Sequence, residues 1–261
     1  MTKLGLDLQG RLILVTRPLP EGESFCRLIE SCNGRSLLAP ALEIKPPLDS
    51  GPFESALAEI DGYDGIIITS ANGARAFVEG LLAKKAVGGV IPRIFAVGKK
   101  TAKIVQEAGY NVTIPDCPAG GEELAAAIKG WQPGGGRLLF PRAEKGREEL
   151  VSILTAAKYQ VGMVTAYRAE PIKLLPVEAQ QALAAGQVDA IPFFSARTGR
   201  TFLNALPSGG EQWLEKPIII TISQVTSRAL GQSPVTIDLI AEHPTGESIL
   251  ERLYQYWQKH G

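Results

Sequence analysis

The chain has 261 residues, 45% of them hydrophobic and 21% charged, with 27 acidic side chains against 27 basic ones. That is an ordinary globular balance, and it argues against a duplex nucleic-acid binder, which would show a basic excess or stripe. The three cysteines, Cys26, Cys32 and Cys117, have neither CxxC spacing nor an even count, so they fit a reducing compartment better than a disulfide framework or a metal site. No apolar run approaches the roughly 20 residues of a membrane-spanning helix, and the N-terminal stretch has no cleavage-like site, so a cytoplasmic location is expected.

In chain order, short aliphatic runs predict strands near Leu12 to Thr16, Ser36 to Ala39, Gly65 to Thr69, Ile94 to Val97 and Asn111 to Ile114. Each is bounded by Gly, Pro or Asp, as buried parallel strands are. Between them, helical spacing predicts helices over Glu23 to Cys32, Gly73 to Leu82 and Thr101 to Ala108, the last stopped by Gly109. The order then repeats, with strands near Leu138 to Pro141, Gly162 to Thr165, Ala190 to Phe194, Ile218 to Ile222 and Ile237 to Ile240. Alternating strands and helices imply parallel sheets covered on both faces.

The repetition has one register. Subtraction gives 125 for 142−17 (Arg17, Arg142), 189−64 (Asp64, Asp189), 195−70 (Ser70, Ser195) and 226−101 (Thr101, Thr226). Ala71 with Ala196, Phe77 with Phe202, Gly121 with Gly246 and Glu122 with Glu247 follow the same offset, with no gap needed. Such a period is the signature of an internal duplication. A length of 261 permits one large or two small domains, and the repeat decides for two. Two Pro-containing extended stretches related by the offset, 41–47 and 166–171, are poor helix material and are the expected crossings. The first domain would then combine 1–41 with 171–261, and the second, 45–166, would be inserted between them.

In parallel sheets ligands bind beyond the carboxyl ends of the strands, where helix starts point their free N–H groups. Four strand-to-helix turns qualify. Thr69-Ser70-Ala71-Asn72-Gly73 is matched by Phe194-Ser195-Ala196-Arg197-Thr198. Each serine is either a plain helix cap or part of a ligand site. Ala96-Val97-Gly98-Lys99-Lys100-Thr101-Ala102 is matched by a run in which Ser223 replaces Gly98 and Thr226 replaces Thr101. Its glycine serves either a Gly-only turn or close backbone approach to an anion, which Lys99 and Lys100 would attract from the surface. Arg142, with Arg17 as its equivalent, could hold a carboxylate through a bidentate fork or make an internal salt bridge. Ala119-Gly120-Gly121-Glu122 and Pro244-Thr245-Gly246-Glu247 read mainly as capped helix starts.

Tyr167 sits in one proposed crossing where the offset puts Leu42 in the other, so this phenol is either a single-copy acid or an aromatic plug. His243 precedes Pro244, and His260 lies in the terminal segment; neither carries much information. HExxH, GxSxG, Walker and GxGxxG motifs are absent from the sequence, which leaves hydrolase, phosphate-loop and dinucleotide readings unsupported.

Taken together, the chain resembles uroporphyrinogen-III synthase over nearly its whole length. The carrying segments are Ile67-Ile68-Thr69-Ser70-Ala71-Asn72-Gly73, the Gly98 turn, Gly146-Arg147 with Leu150, Ala166-Tyr167, Phe194-Ser195, Thr226 and Pro244-Thr245. The resemblance implies two similar parallel α/β domains of flavodoxin-like or Rossmann-like type, joined by a two-stranded linker with a cleft between them. It implies a cofactor-independent lyase that cyclises hydroxymethylbilane, a linear tetrapyrrole, to uroporphyrinogen III with inversion of ring D and loss of water, using neither metal nor organic cofactor. Tyr167 matches the family's cleft tyrosine and is the expected proton donor. The turns at Ser70, Asn72, Gly98, Thr101, Ser195 and Thr226, with Arg17 and Arg142, are the expected substrate-carboxylate contacts. A monomer is expected, with transient contact with hydroxymethylbilane synthase as its protein partner. The rival readings are a non-catalytic two-lobed binding module and a flavodoxin-like cofactor carrier.

Overall fold

The structure, a computed structural model, describes residues 4–83, 90–115, 120–146, 148–231 and 235–260. It divides into two compact units, Met1–Glu43 with Glu170–Gly261, and Ile44–Ala169. We call these unit 1 and unit 2.

Unit 1 contains β1 (Leu12–Val15), α1 (Glu21–Glu30) and β2 (Arg35–Leu38), then α7 (Val177–Ala184), β9 (Ala190–Phe193), α8 (Ala196–Asn204), β10 (Ile218–Thr221), α9 (Gln224–Leu230), β11 (Leu239–Ile240) and α10 (Gly246–His260). Its sheet order is β11-β10-β9-β1-β2, and every recorded pairing is parallel. Both faces are covered, so β1 is buried along its whole length and its side chains alternate between two cores. Leu12 and Leu14 join Phe193 and Phe202 on one face, while Ile13 and Val15 join Phe25, Ile29 and Ile249 on the other. Helix α1 docks through Gly22, Phe25, Cys26 and Ile29, a spacing that makes one apolar stripe.

Unit 2 contains α2 (Gly51–Ala58), β4 (Gly65–Ile68), α3 (Ala71–Ala83), β5 (Arg93–Ala96), α4 (Lys99–Glu107), β6 (Val112–Thr113), α5 (Gly121–Trp131), β7 (Gly136–Ala143) and α6 (Glu149–Ala156). The chain passes between the units within β3 (Leu42–Lys45) and β8 (Tyr159–Pro171). The sheet order is β3-β8-β7-β4-β5-β6. Ile66 and Ile68 pack with Phe77 on one face, and Ile67 with Leu138 and Phe140 on the other. A buried tyrosine closes one end of that second core: Tyr159 donates to the carbonyls of Ile128 and Gln132, and burial pushes its phenol above the ordinary range.

Strand pairing obeys the 125-residue offset almost throughout. Leu12 pairs with Arg35 as Arg137 pairs with Gln160, Ile13 with Ala190 as Leu138 with Gly65, and Gly65 with Arg93 as Ala190 with Ile218. The gapless register fails at the last strand, where Phe95 faces Thr113 but the equivalent Ile220 faces Leu239, one residue further on. These strands are two residues long and lie at sheet edges, where little side-chain packing specifies register. A second departure is the length of β8. The sequence predicts a strand over 162–165 and a separate link at 166–171, whereas one strand runs from Tyr159 to Pro171.

Candidate functional site

In unit 2 the chain leaves β7 towards β8 on one side and β4 towards β5 on the other, so β4 and β7 flank a topological switch point. A cavity of about 340 Å³ opens beyond the carboxyl ends of these two strands. Thr69 and Ser70 come to it from the end of β4, Val97 from the end of β5, and Phe140, Arg142 and Ala143 from β7. Gly121, Glu149 and Leu150 enter from helix starts, Lys145 and Gly146 from the segment after β7, and Tyr167 from β8.

A β-bulge directs the tyrosine. The β7–β8 register runs evenly to Arg142 facing Thr165, then skips, so that Ala143 faces Tyr167. Side chains alternate faces along a strand, and one skipped residue reverses that alternation. Val164 and Ala166 face one core in ordinary alternation, and past the skip Tyr167 packs against that same core while its ring reaches the cavity. The backbone is held there by Glu144 N–H, which donates to Tyr167 O at 3.0 Å. The phenol oxygen lies 3.0 Å from Ser70 Oγ, which accepts from Gly73 N–H at 2.9 Å.

Arg142 supplies positive charge. Its Nη1 donates to the Met163 sulfur at 3.3 Å and the guanidinium lies 5.6 Å from the Phe140 ring centre. Among the described residues it makes no ion pair. The internal salt bridge that the sequence left open is therefore not formed with any described residue. Arg17, its equivalent in unit 1, sits 4.0 Å from the centre of the Phe194 ring. Burial pulls its guanidinium below the ordinary range, and the Glu21 carboxylate acts the other way.

The remaining candidates occupy helix starts. Asn72 Oδ1 accepts from Arg75 Nη1 at 2.8 Å, within α3. Ser195 realises the capping reading, accepting from Thr198 N–H at 3.1 Å with Thr198 Oγ1 at 2.9 Å. Ser223 likewise caps α9, taking Thr226 N–H at 3.3 Å, and Thr226 is buried, as is Thr101. Gly98 does not meet a Gly-only requirement: its backbone is extended, and a β-carbon there would have nothing within 4 Å among the described residues. Ser223 adopts the same extended conformation, so the two turns differ in capping, since α4 has no side-chain cap and α9 does.

Ser70, Arg142 and Tyr167 are thus brought together, with Gly98 and Asn72 on neighbouring turns of the same unit, while Arg17, Ser195 and Thr226 belong to unit 1. The sequence reading missed Phe140, Met163 and the role of Gly73. For Gly73 a signal existed: the offset matches it with Thr198, as it matches Tyr167 with Leu42. Arg147, Ala119 and Cys117 lie outside the described residues.

Fold and cavity define a parallel α/β protein whose site, at a switch point, combines a phenol with a guanidinium that makes no ion pair among the described residues. A family model described as uroporphyrinogen-III synthase HemD matches residues 23–251, and the chain belongs to the uroporphyrinogen-III synthase family. Among curated relatives, the uroporphyrinogen-III synthase of Synechococcus elongatus is 29% identical over 256 residues, covering 95% of this chain and 96% of its own. That of Chlorobaculum parvum is 25% identical over 247 residues, covering 93% and 98%. Two solved structures share the fold, covering 95% of this chain and 99% of their own: a mutant uroporphyrinogen III synthase of Thermus thermophilus (TM-score 0.62, 22% identity) and the synthetase of Helicobacter pylori (TM-score 0.61, 19% identity). No helix among the described residues is long and apolar enough to cross a membrane.

Proposed function

We propose that this uroporphyrinogen-III synthase uses the Tyr167 phenol to protonate the terminal hydroxyl of hydroxymethylbilane, and so starts closure to uroporphyrinogen III. The observation that carries this reading is the phenol in a cavity at the switch point, 3.0 Å from Ser70 Oγ and sharing that cavity with Arg142. The phenolic proton passes to the hydroxyl, the carbon–oxygen bond breaks, water leaves and an electron-poor azafulvenium cation remains beside the phenolate. The pyrrole of the last ring attacks it through its substituted carbon, and the resulting spiro intermediate reopens and closes with that ring inverted. The proton lost on closure returns to the phenolate, so the net change is loss of one water. General acid catalysis of this kind contributes about 10²- to 10⁴-fold, and holding a long chain in one reactive geometry contributes the rest.

The substrate's acetate and propionate groups need positive potential, which a chain of zero net charge supplies locally. Arg142 and the uncapped start of α4 at Gly98 and Thr101 are the donors in unit 2, with Asn72 at the start of α3. Arg17 and the turns at Ser195 and Thr226 are the corresponding donors in unit 1. A partly desolvated guanidinium such as that of Arg17 gains from pairing with an anion.

We also read the chain as a duplicated unit linked by β3 and the end of β8. Support comes from the common offset of the pairing register. On this reading each sheet takes two strands from one copy and three from the other, and the linking strand β3 makes the sixth of the second sheet. The enzyme is read as a monomer that meets hydroxymethylbilane synthase transiently, since an open bilane left alone closes without inversion.

The test generates hydroxymethylbilane in situ from porphobilinogen with a deaminase, adds the purified protein, oxidises the products and separates the uroporphyrin isomers. A protein-dependent shift from type I to type III is the expected result. Type I alone, from folded protein, would leave a binding module without catalysis.

A further inference from the structure

We propose that Ser70 is the positioning residue for the Tyr167 phenol, and that the missing side chain at Gly73 is what commits Ser70 to that partner. The proposal rests on the reading of Tyr167 as the acid. It departs from the sequence expectation that Ser70 binds substrate.

The two offset-related serines make the comparison. Both precede a helix and accept an N–H from the third residue on, at 2.9 Å for Ser70 and 3.1 Å for Ser195. Each hydroxyl then has one proton left to place. Ser195 meets Thr198 Oγ1 at 2.9 Å, within its own helix. Gly73 stands at the equivalent position beside Ser70 and offers no hydroxyl, and Ser70 Oγ meets Tyr167 Oη at 3.0 Å instead. Leu42, the counterpart of Tyr167, could not accept such a bond. Serine with glycine and tyrosine in one copy answers serine with threonine and leucine in the other.

Sterics point the same way. A β-carbon at position 73 would stand 3.0 Å from Ser70 Oγ, 3.4 Å from Pro141 O and 3.9 Å from Tyr167 Cε1. A larger side chain would compete with the phenol for the space beside Ser70. With Gly73 N–H occupying one lone pair, Ser70 becomes a better donor through hydrogen-bond cooperativity. It donates to Tyr167 Oη, leaving the phenol's own proton for the substrate, and it stabilises the phenolate once that proton has gone.

The experiment measures kcat and KM of the full-length protein and of Ser70→Ala, Ser70→Thr, Gly73→Thr, Tyr167→Phe and the Ser70→Ala/Tyr167→Phe double variant. Substrate is made in situ, and circular dichroism checks folding. Ser70→Ala is expected to lower kcat about tenfold with KM nearly unchanged, the scale of one hydrogen bond to a developing charge. Ser70→Thr keeps the oxygen and should retain kcat. Gly73→Thr gives Ser70 the partner that Ser195 has, and should lower kcat without removing a hydroxyl, which tests the proposal even if Ser70→Ala does not fold. In the Tyr167→Phe background, Ser70→Ala should cost nothing further. A higher KM at constant kcat for Ser70→Ala, or additive losses in the double variant, would overturn the proposal while leaving Tyr167 as the acid. Full activity in Tyr167→Phe would instead overturn the acid reading, and the proposal with it.

Discussion

Arg142 and Arg17 are offset equivalents whose surroundings have diverged. Position 194 is phenylalanine and carries the Arg17 guanidinium at 4.0 Å, whereas its counterpart, Thr69, offers no ring to Arg142. Arg142 is left in the cavity wall with a sulfur contact and no ion pair among the described residues. We expect Arg142→Ala to raise KM about tenfold with little change in kcat, the scale of a lost charge-assisted hydrogen bond to a substrate carboxylate. Steady-state kinetics would check it, and an unchanged KM would remove Arg142 from substrate binding. Both arginines were legible as candidates from spacing alone. Their different environments were not, because a long side chain settles against neighbours contributed by other strands.

At the scale of elements, two equivalent aspartates tie the strand ends. Asp64 Oδ2 accepts from Arg137 N–H at 2.7 Å, and Asp189 Oδ2 accepts from Leu12 N–H at the same distance. Asp189 also pairs with Arg11 at 3.1 Å and is the more enclosed of the two sites. Asp189→Ala should cost about 1–3 kcal/mol by leaving a part-buried N–H unpaired, and Asp64→Ala less, since water can reach the exposed group. Urea denaturation of both variants is the check, and the reverse order would contradict this account. Strands such as Leu12–Val15 and Gly65–Ile68 were readable because burial on both faces leaves unbroken aliphatic runs. The bulge between Arg142 and Ala143 was not, because a bulge is a relation between two strands, and neither strand's composition encodes it. That bulge decides where Tyr167 points.

At the scale of the molecule, each unit has cores on both faces of its own sheet. Phe77 and Phe202 are offset equivalents, both fully buried, in different units. Truncating either to alanine should cost about 3–5 kcal/mol, as large core deletions do. Hydrogen exchange should then lose protection mainly within Ile44–Ala169 for Phe77→Ala, and within the other unit for Phe202→Ala. Equal loss throughout by either variant would mean that the units unfold as one.

The sequence by itself determined the parallel α/β class, the offset, the family and the candidate turns, because these rest on local patterns of burial, capping and spacing. Only the tertiary structure decided which candidates meet. Ser70 and Tyr167 are 97 residues apart, and their contact depends on β4 lying beside β7, on β7 pairing with β8, and on one skipped residue in that pairing. The partner of a buried polar atom is fixed by packing in three dimensions, and a one-residue change of register is enough to turn it to the opposite face.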